Sequence, residues 1–191
     1  MRVTATRTTI CRWSEIQRPE RFEPALDRIF FEASATRSFA SDELRTAFRD
    51  RWLGRYLRLE AANVFLMFRG TDIDPSHLVG YVAGALDDPA LSERYDDIGY
   101  FPLLRDVTRR FPAHLHVNLA PEARGAGLGS LLVNRFASEA SAAGAPGVHV
   151  VTSASSRNVG FYKANDFSFE YPFDWRQAHL VLLGRTLSPP F

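Results

Sequence analysis

The 191-residue sequence predicts a mixed α/β fold of the α+β kind, a mostly antiparallel central sheet with helices on both faces. Three observations carry this. Two apolar, β-prone runs (63–69 and 77–86) flank a stretch of turn formers at 70–75, the pattern of an antiparallel hairpin with a longer loop. From residue 113 onward, strand-like and helix-like segments alternate, which makes the sheet mixed. An apolar share of 46% over this length suits one domain spanning 1–191, organised as halves 1–100 and 101–191.

The elements run in order along the chain. Residues 3–10 suit a first strand, and Pro19 and Pro24 punctuate a turn into a helix at 25–35, where Leu26, Ile29, Phe30 and Ala33 recur at helical spacing. Ser41 followed by Asp42 and Glu43 is an N-cap signal. The helix it opens is expected to run to Leu59, with Leu44, Phe48, Trp52, Tyr56 and Leu59 on its buried face. After the hairpin comes an acidic stretch, Asp87, Asp88 and 93–97, which could attract a cationic acceptor or form a solvated loop. A short helix is expected within 101–110, before Pro112, and a strand over 113–119. A helix is expected over 127–143, with Leu128, Leu131, Leu132, Phe136 and Ala140 on the inner stripe and Gly144 ending it. The remaining expectations are a strand at 148–152, a short helix at 158–164, and closing strands at 167–173 and 179–186.

Composition excludes several classes. A net charge of +1 offers no field for nucleic acid. Cys11 is alone, so neither an internal disulfide nor a cysteine zinc site is expected, and no histidine spacing suggests a metal. No secretory h-region follows Met1, and no apolar run reaches the ~18 residues of a membrane span, so a cytoplasmic protein is expected. The oligomeric state, monomer or homodimer, is not legible.

The informative segment is the glycine-rich loop formed by Arg124, Gly125, Ala126, Gly127, Leu128, Gly129 and Ser130, between a strand and a helix. Glycines let backbone N–H groups approach a phosphate closely, the helix N-terminus adds partial positive charge, and Arg124 adds a full one. A P-loop would need a lysine before the hydroxyl residue, and Leu128-Gly129-Ser130 has none. A dinucleotide fingerprint would need a third glycine where Ser130 stands.

Arg124-x-x-Gly127-x-Gly129 resembles the Arg/Gln-x-x-Gly-x-Gly/Ala motif of GCN5-related N-acetyltransferases (GNAT). The run 117–121 is similar to that family's fourth strand and turn, 148–152 to its fifth strand, and Phe161-Tyr162 through Phe167 to its closing Phe-Tyr-x-x-x-Gly-Phe. The likeness is good over 113–170, while the first half fits by element order. Residues 112–117 also resemble a subgroup related to the acetyltransferase-like domain of O-GlcNAc hydrolases. Two departures stand out. Ser155 occupies a position where many members carry Asn, with Asn158 nearby, and either could bond the pantetheine arm. Asp166, beside Asn165, replaces a glycine, although both residue types tolerate left-handed backbone.

The resemblance implies a GNAT fold and direct transfer of acetyl from acetyl-CoA to an amine acceptor, with no metal. The second half would bind acetyl-CoA and the first half would supply acceptor-side elements. Val117 and Leu119 would pair with the pantetheine arm, residues 124–130 would hold the pyrophosphate, and Phe161 would line the site. Tyr162 matches the family's general acid at the sulfur. For the base, His114 and His116 alternate on one strand, with His116 nearer the acyl end, and a water chain to a carboxylate is an equal alternative. His149 and His179 are expected to be structural or exposed. The competing reading is a non-catalytic module that binds acyl-CoA or a protein partner.

Overall fold

The computed structural model describes residues 7–188. Its strands form a seven-stranded sheet of order β1-β2-β3-β4-β5-β7-β6, mixed and mostly antiparallel, in which β4 and β5 are parallel. The described residues form two compact units, one comprising 7–83 together with 116–133, the other comprising 84–115 and 134–188. The boundaries fall inside β3, β4 and helix α5.

In the first unit, β1 (Thr8–Arg12) pairs antiparallel with β2 (Val64–Arg69), which pairs with β3 (Leu78–Ala85) through a bulge after Met67. The predicted hairpin is therefore present. Positions 3–6 of the expected first strand lie outside the described residues. Helix α1 (Glu23–Ala33) buries Leu26, Ile29 and Phe30 and has Pro24 in its first turn, where the missing N–H costs nothing. Ser41 caps α2 (Asp42–Arg49), accepting from the Leu44 N–H at 3.3 Å.

The expected uninterrupted helix from Ser41 to Leu59 is corrected by a π-helical turn, Asp50–Gly54, between α2 and α3 (Arg55–Leu59). A π turn holds an extra residue, which rotates the succeeding helix by about 100° relative to a regular one. The inner face therefore changes. Leu53, Tyr56 and Leu57 are buried, whereas Leu44 and Leu59 are 56% and 54% exposed. Arg49 ties α2 to α1, bonding Asp27 at 2.8 Å and Glu23 at 3.1 Å.

In the second unit, β3 is followed by a folded acidic stretch. Asp87 pairs with Arg94 at 2.7 Å, the Asp88 carboxylate accepts from the Ala90 N–H at 2.9 Å and Tyr95 is buried, while Glu93, Asp96 and Asp97 are exposed, so the stretch is a solvated loop pinned at a few points. A 3-10 turn (Phe101–Leu104) and α4 (Arg105–Thr108) lead into β4 (Ala113–Leu119). Ala113 and His114 pair in parallel with Val148 and His149 of β5 (Gly147–Ser153). β5 pairs antiparallel with β7 (Ala178–Thr186), and β7 with β6 (Phe169–Trp175), an edge strand whose Pro172 is tolerated for that reason. Helix α6 (Asn158–Lys163) follows β5.

Helix α5 (Leu128–Ala142) buries Leu132, Val133, Phe136, Ala137 and Ala140. These positions fit the i, i+3, i+4 template without Leu131, which is 50% exposed against expectation. The helix ends in a Schellman motif: Gly144 at φ +85°, with bonds from the Ala145 N–H to the Ala140 carbonyl and from the Gly144 N–H to the Ser141 carbonyl.

Candidate active site

The loop between β4 and α5 is built by short-range constraints. The Ala120 N–H donates to the Val79 carbonyl at 2.9 Å, anchoring the strand's end to β3. A 3-10 turn, Pro121–Ala123, reverses the chain. Gly125 and Gly127 then take φ of +80° and +75°. A Cβ at either would meet nothing within 4 Å, so glycine is required there by the backbone and not by crowding. The Ser130 and Leu131 N–H groups turn back on the Gly127 carbonyl at 3.1 and 3.3 Å, opening α5. Arg124 donates from Nε and Nη2 to the Leu119 carbonyl at 3.2 and 3.1 Å. Two of its five donors thus brace the loop against the strand. The structure accordingly brings Leu119 and residues 124–130 into one strand-loop-helix element, as expected.

Facing this element is a residue that no sequence motif singles out. A Cβ on Gly80 of β3 would lie 2.3 Å from the Leu119 side chain and 2.9 Å from the Asn118 carbonyl. Glycine there permits close approach of β3 to the outer end of β4, and a glycine inside a strand pattern is the available signal. Beside it, Asn118 donates to the phenol oxygen of fully buried Tyr81 at 2.7 Å, and burial raises that phenol's pKa above its usual value.

Of the two β4 histidines, half-buried His116 meets two aromatic residues of the interrupted helix. Its Nε2 lies 3.3 Å from the Tyr56 hydroxyl, and its ring is edge-on to Tyr56 at 5.4 Å and to Trp52 at 5.2 Å. His114, in the other unit, is buried against Tyr95 at 4.8 Å and His149 at 5.7 Å. His149 bonds through Nδ1 to the Phe111 carbonyl at 2.5 Å. Burial holds its pKa down at about 4, opposed by that carbonyl and by the Asp88 charge, so it is neutral and structural. His179 is exposed and paired with Asp174 at 2.5 Å.

Tyr162 sits on α6, buried between Phe161 at 5.1 Å and Phe167 at 5.3 Å, and burial alone raises its pKa. The helix closes in a second Schellman motif, in which the Phe167 N–H reaches the Tyr162 carbonyl at 3.2 Å. Asp166 takes φ +67° there, filling the position at which the resembled motif has glycine, while Asn165 instead bonds the Phe161 carbonyl at 2.8 Å. Asn158 and Ser155 are both exposed. Asn158 accepts from the Thr152 hydroxyl at 3.0 Å, and the Ser155 hydroxyl lies 3.2 Å from that of Ser153. Val117 is half-buried on β4.

Among the described residues, no group of three or more metal-ligating side chains is assembled, and no helix is long and apolar enough to cross a membrane. Cys11 is partly buried, and desolvation with the Glu15 charge pushes its thiol up to about 11, which keeps it protonated.

The profile of the acetyltransferase (GNAT) family matches residues 12–167. Among solved structures, SsHAT superposes with a TM-score of 0.63 at 20% identity, covering 94% of this chain and 98% of that one. The Escherichia coli ribosomal-protein-S18-alanine N-acetyltransferase gives 0.54 at 15% identity, over 97% of each chain. A chain of the NatC complex bound to Gag peptide and CoA gives 0.57 at 10% identity, covering 95% of this chain and 99% of that one. At such identities these three likenesses concern the fold alone.

Proposed function

Because the chain belongs to the acetyltransferase (GNAT) family, matched over residues 12–167, we propose that it transfers acetyl directly from acetyl-CoA to an amine acceptor. The observation that carries this reading is the loop before α5, where Gly125 and Gly127 hold left-handed backbone at the start of a 15-residue helix. Such a turn aims successive N–H groups at one point with the helix dipole behind them, which suits a pyrophosphate. Arg124, Gly125, Ala126, Gly127, Leu128, Gly129 and Ser130 hold that group. Val117 and Leu119 bind the pantetheine amides through their peptide groups, assisted by Ser155 or Asn158, with Phe161 as an apolar wall.

His116 takes a proton from the acceptor ammonium, a task suited to an imidazole at neutral pH. The amine nitrogen then attacks the thioester carbonyl, a C–N bond forms and the C–S bond breaks. Tyr162 gives its hydroxyl proton to the departing sulfur, and the second proton lost by the acylated nitrogen returns to the phenoxide, leaving a neutral amide and a free thiol. The support for this role is the place of Tyr162 in the Phe161-Tyr162 motif, whereas burial keeps the phenol protonated and makes it a weaker acid toward the thiolate. A lone cysteine, Cys11, fits a reducing, cytoplasmic setting.

A second reading, an acyl-CoA-binding module without turnover, is favoured by one observation: Ser155 stands where many family members have Asn, and its hydroxyl is engaged with Ser153. Calorimetric titration with acetyl-CoA, followed by an amine screen that reads free thiol, decides between the two. Binding with thiol release supports the enzyme. Binding without release on any acceptor class supports the module, and no binding at millimolar acetyl-CoA removes both.

A further inference from the structure

The aromatic pair around His116 has no part in the family motifs. Tyr56 is fully buried, yet its hydroxyl meets a ring nitrogen of a β4 residue sixty positions away. A second observation concerns the backbone that delivers it. Trp52 lies inside the π turn Asp50–Gly54, and Tyr56 follows in the first turn of α3, so the irregular turn presents both rings to one imidazole. Single π turns cost helical regularity and collect at functional sites. Two edge-on rings fix the plane of the imidazole, and the hydroxyl discriminates between its nitrogens.

We propose that Tyr56 is a positioning residue for His116, its hydroxyl oxygen accepting a hydrogen bond from Nε2–H and so holding the neutral imidazole in the tautomer whose lone pair is on Nδ1. This rests on the reading of His116 as the base. A base needs an unprotonated nitrogen at the acceptor, and the nitrogen facing the phenol is the one that can keep its proton. When the acceptor ammonium loses a proton, an N–H bond breaks with its electron pair left on nitrogen, and a new N–H bond forms at Nδ1. The resulting imidazolium still donates Nε2–H to Tyr56, so the ring need not turn during the reaction. The 3.3 Å separation is on the long side for such a bond, as is common before a substrate is bound.

The test is nitrogen-15 NMR of the full-length protein, with imidazole nitrogens labelled and the His116 signal assigned by its loss in His116→Gln. The expected result at neutral pH is a protonated Nε2 and an unprotonated Nδ1 in the parent. In Tyr56→Phe, which keeps the buried ring, the two tautomers should become mixed. A parental Nδ1–H tautomer overturns the proposal, as does an unchanged tautomer population in Tyr56→Phe. The base assignment fails separately. If His116→Gln releases thiol from acetyl-CoA at the parental rate with an accepted amine, His116 is not the base, whatever the NMR result.

Discussion

Replacing His149 by Asn should remove a pH-dependent loss of stability that the parent protein must show. The imidazole is 1% exposed and donates from Nδ1 to the Phe111 carbonyl, a bond that an Asn side-chain amide can reproduce without titrating. Its folded pKa is lowered from 6.5 to about 4, chiefly by desolvation. Between those values the unfolded chain binds a proton that the folded chain refuses, so stability falls as the solution is acidified. The contribution is fully present above pH 6.5, declines below it, and levels off once pH drops through the folded value near 4. At about 1.4 kcal/mol per unit, the 2.5-unit difference amounts to roughly 3 kcal/mol. Urea unfolding of parent and His149→Asn at pH 7, 5.5 and 4 isolates this term, because the other titrating groups cancel in the difference. The gap between the two proteins should shift in favour of the variant by about 3 kcal/mol from pH 7 to pH 4. A gap that stays constant across that range would refute the account of His149 as a neutral, buried, structural ring.

Two further outcomes address the site. Gly127→Ala places a Cβ on left-handed backbone in open space, so strain alone should cost about 1–2 kcal/mol and acetyl-CoA binding should weaken as the loop shifts, measured by thermal unfolding and calorimetry; parental affinity in a variant with native stability would locate the pyrophosphate elsewhere. Tyr162→Phe keeps the ring packed between Phe161 and Phe167 and removes the hydroxyl, so at saturating acetyl-CoA turnover should drop by about 10²–10⁴-fold with little change in CoA affinity, and unchanged turnover would assign the thiolate's proton to another group.

The expected elements from 113 onward recur in the structure nearly residue for residue, because each is marked by local chemistry. Gly144 ends its helix by the Schellman geometry expected of it, and Asp166 takes the left-handed turn that its side chain tolerates. The glycine loop is legible for the same reason, since left-handed backbone at Gly125 and Gly127 excludes most other residues. The inner faces of the helices are less legible. Leu44, Leu59 and Leu131 are apolar and correctly periodic, yet half or more exposed. Apolar character says that a side chain can be buried, whereas the packing around a helix decides which of several adjacent apolar positions is buried.

Composition, periodicity and turn chemistry by themselves determined a mixed α/β fold with a glycine-rich loop opening a helix after its fourth strand, and the resemblance of that loop's motif pointed to the family. These features rest on interactions spanning a few residues, so their signature lies in consecutive letters. Tertiary structure alone decided that the long helix takes a π turn at Asp50–Gly54, that Gly80 lets β3 approach Leu119, and that Tyr56 reaches the imidazole of His116. The last two are contacts between residues far apart in the chain, where no local pattern records which side chains meet. Strand alternation and imidazole chemistry could nominate His116, but only the packed helix supplies the hydroxyl 3.3 Å from its Nε2.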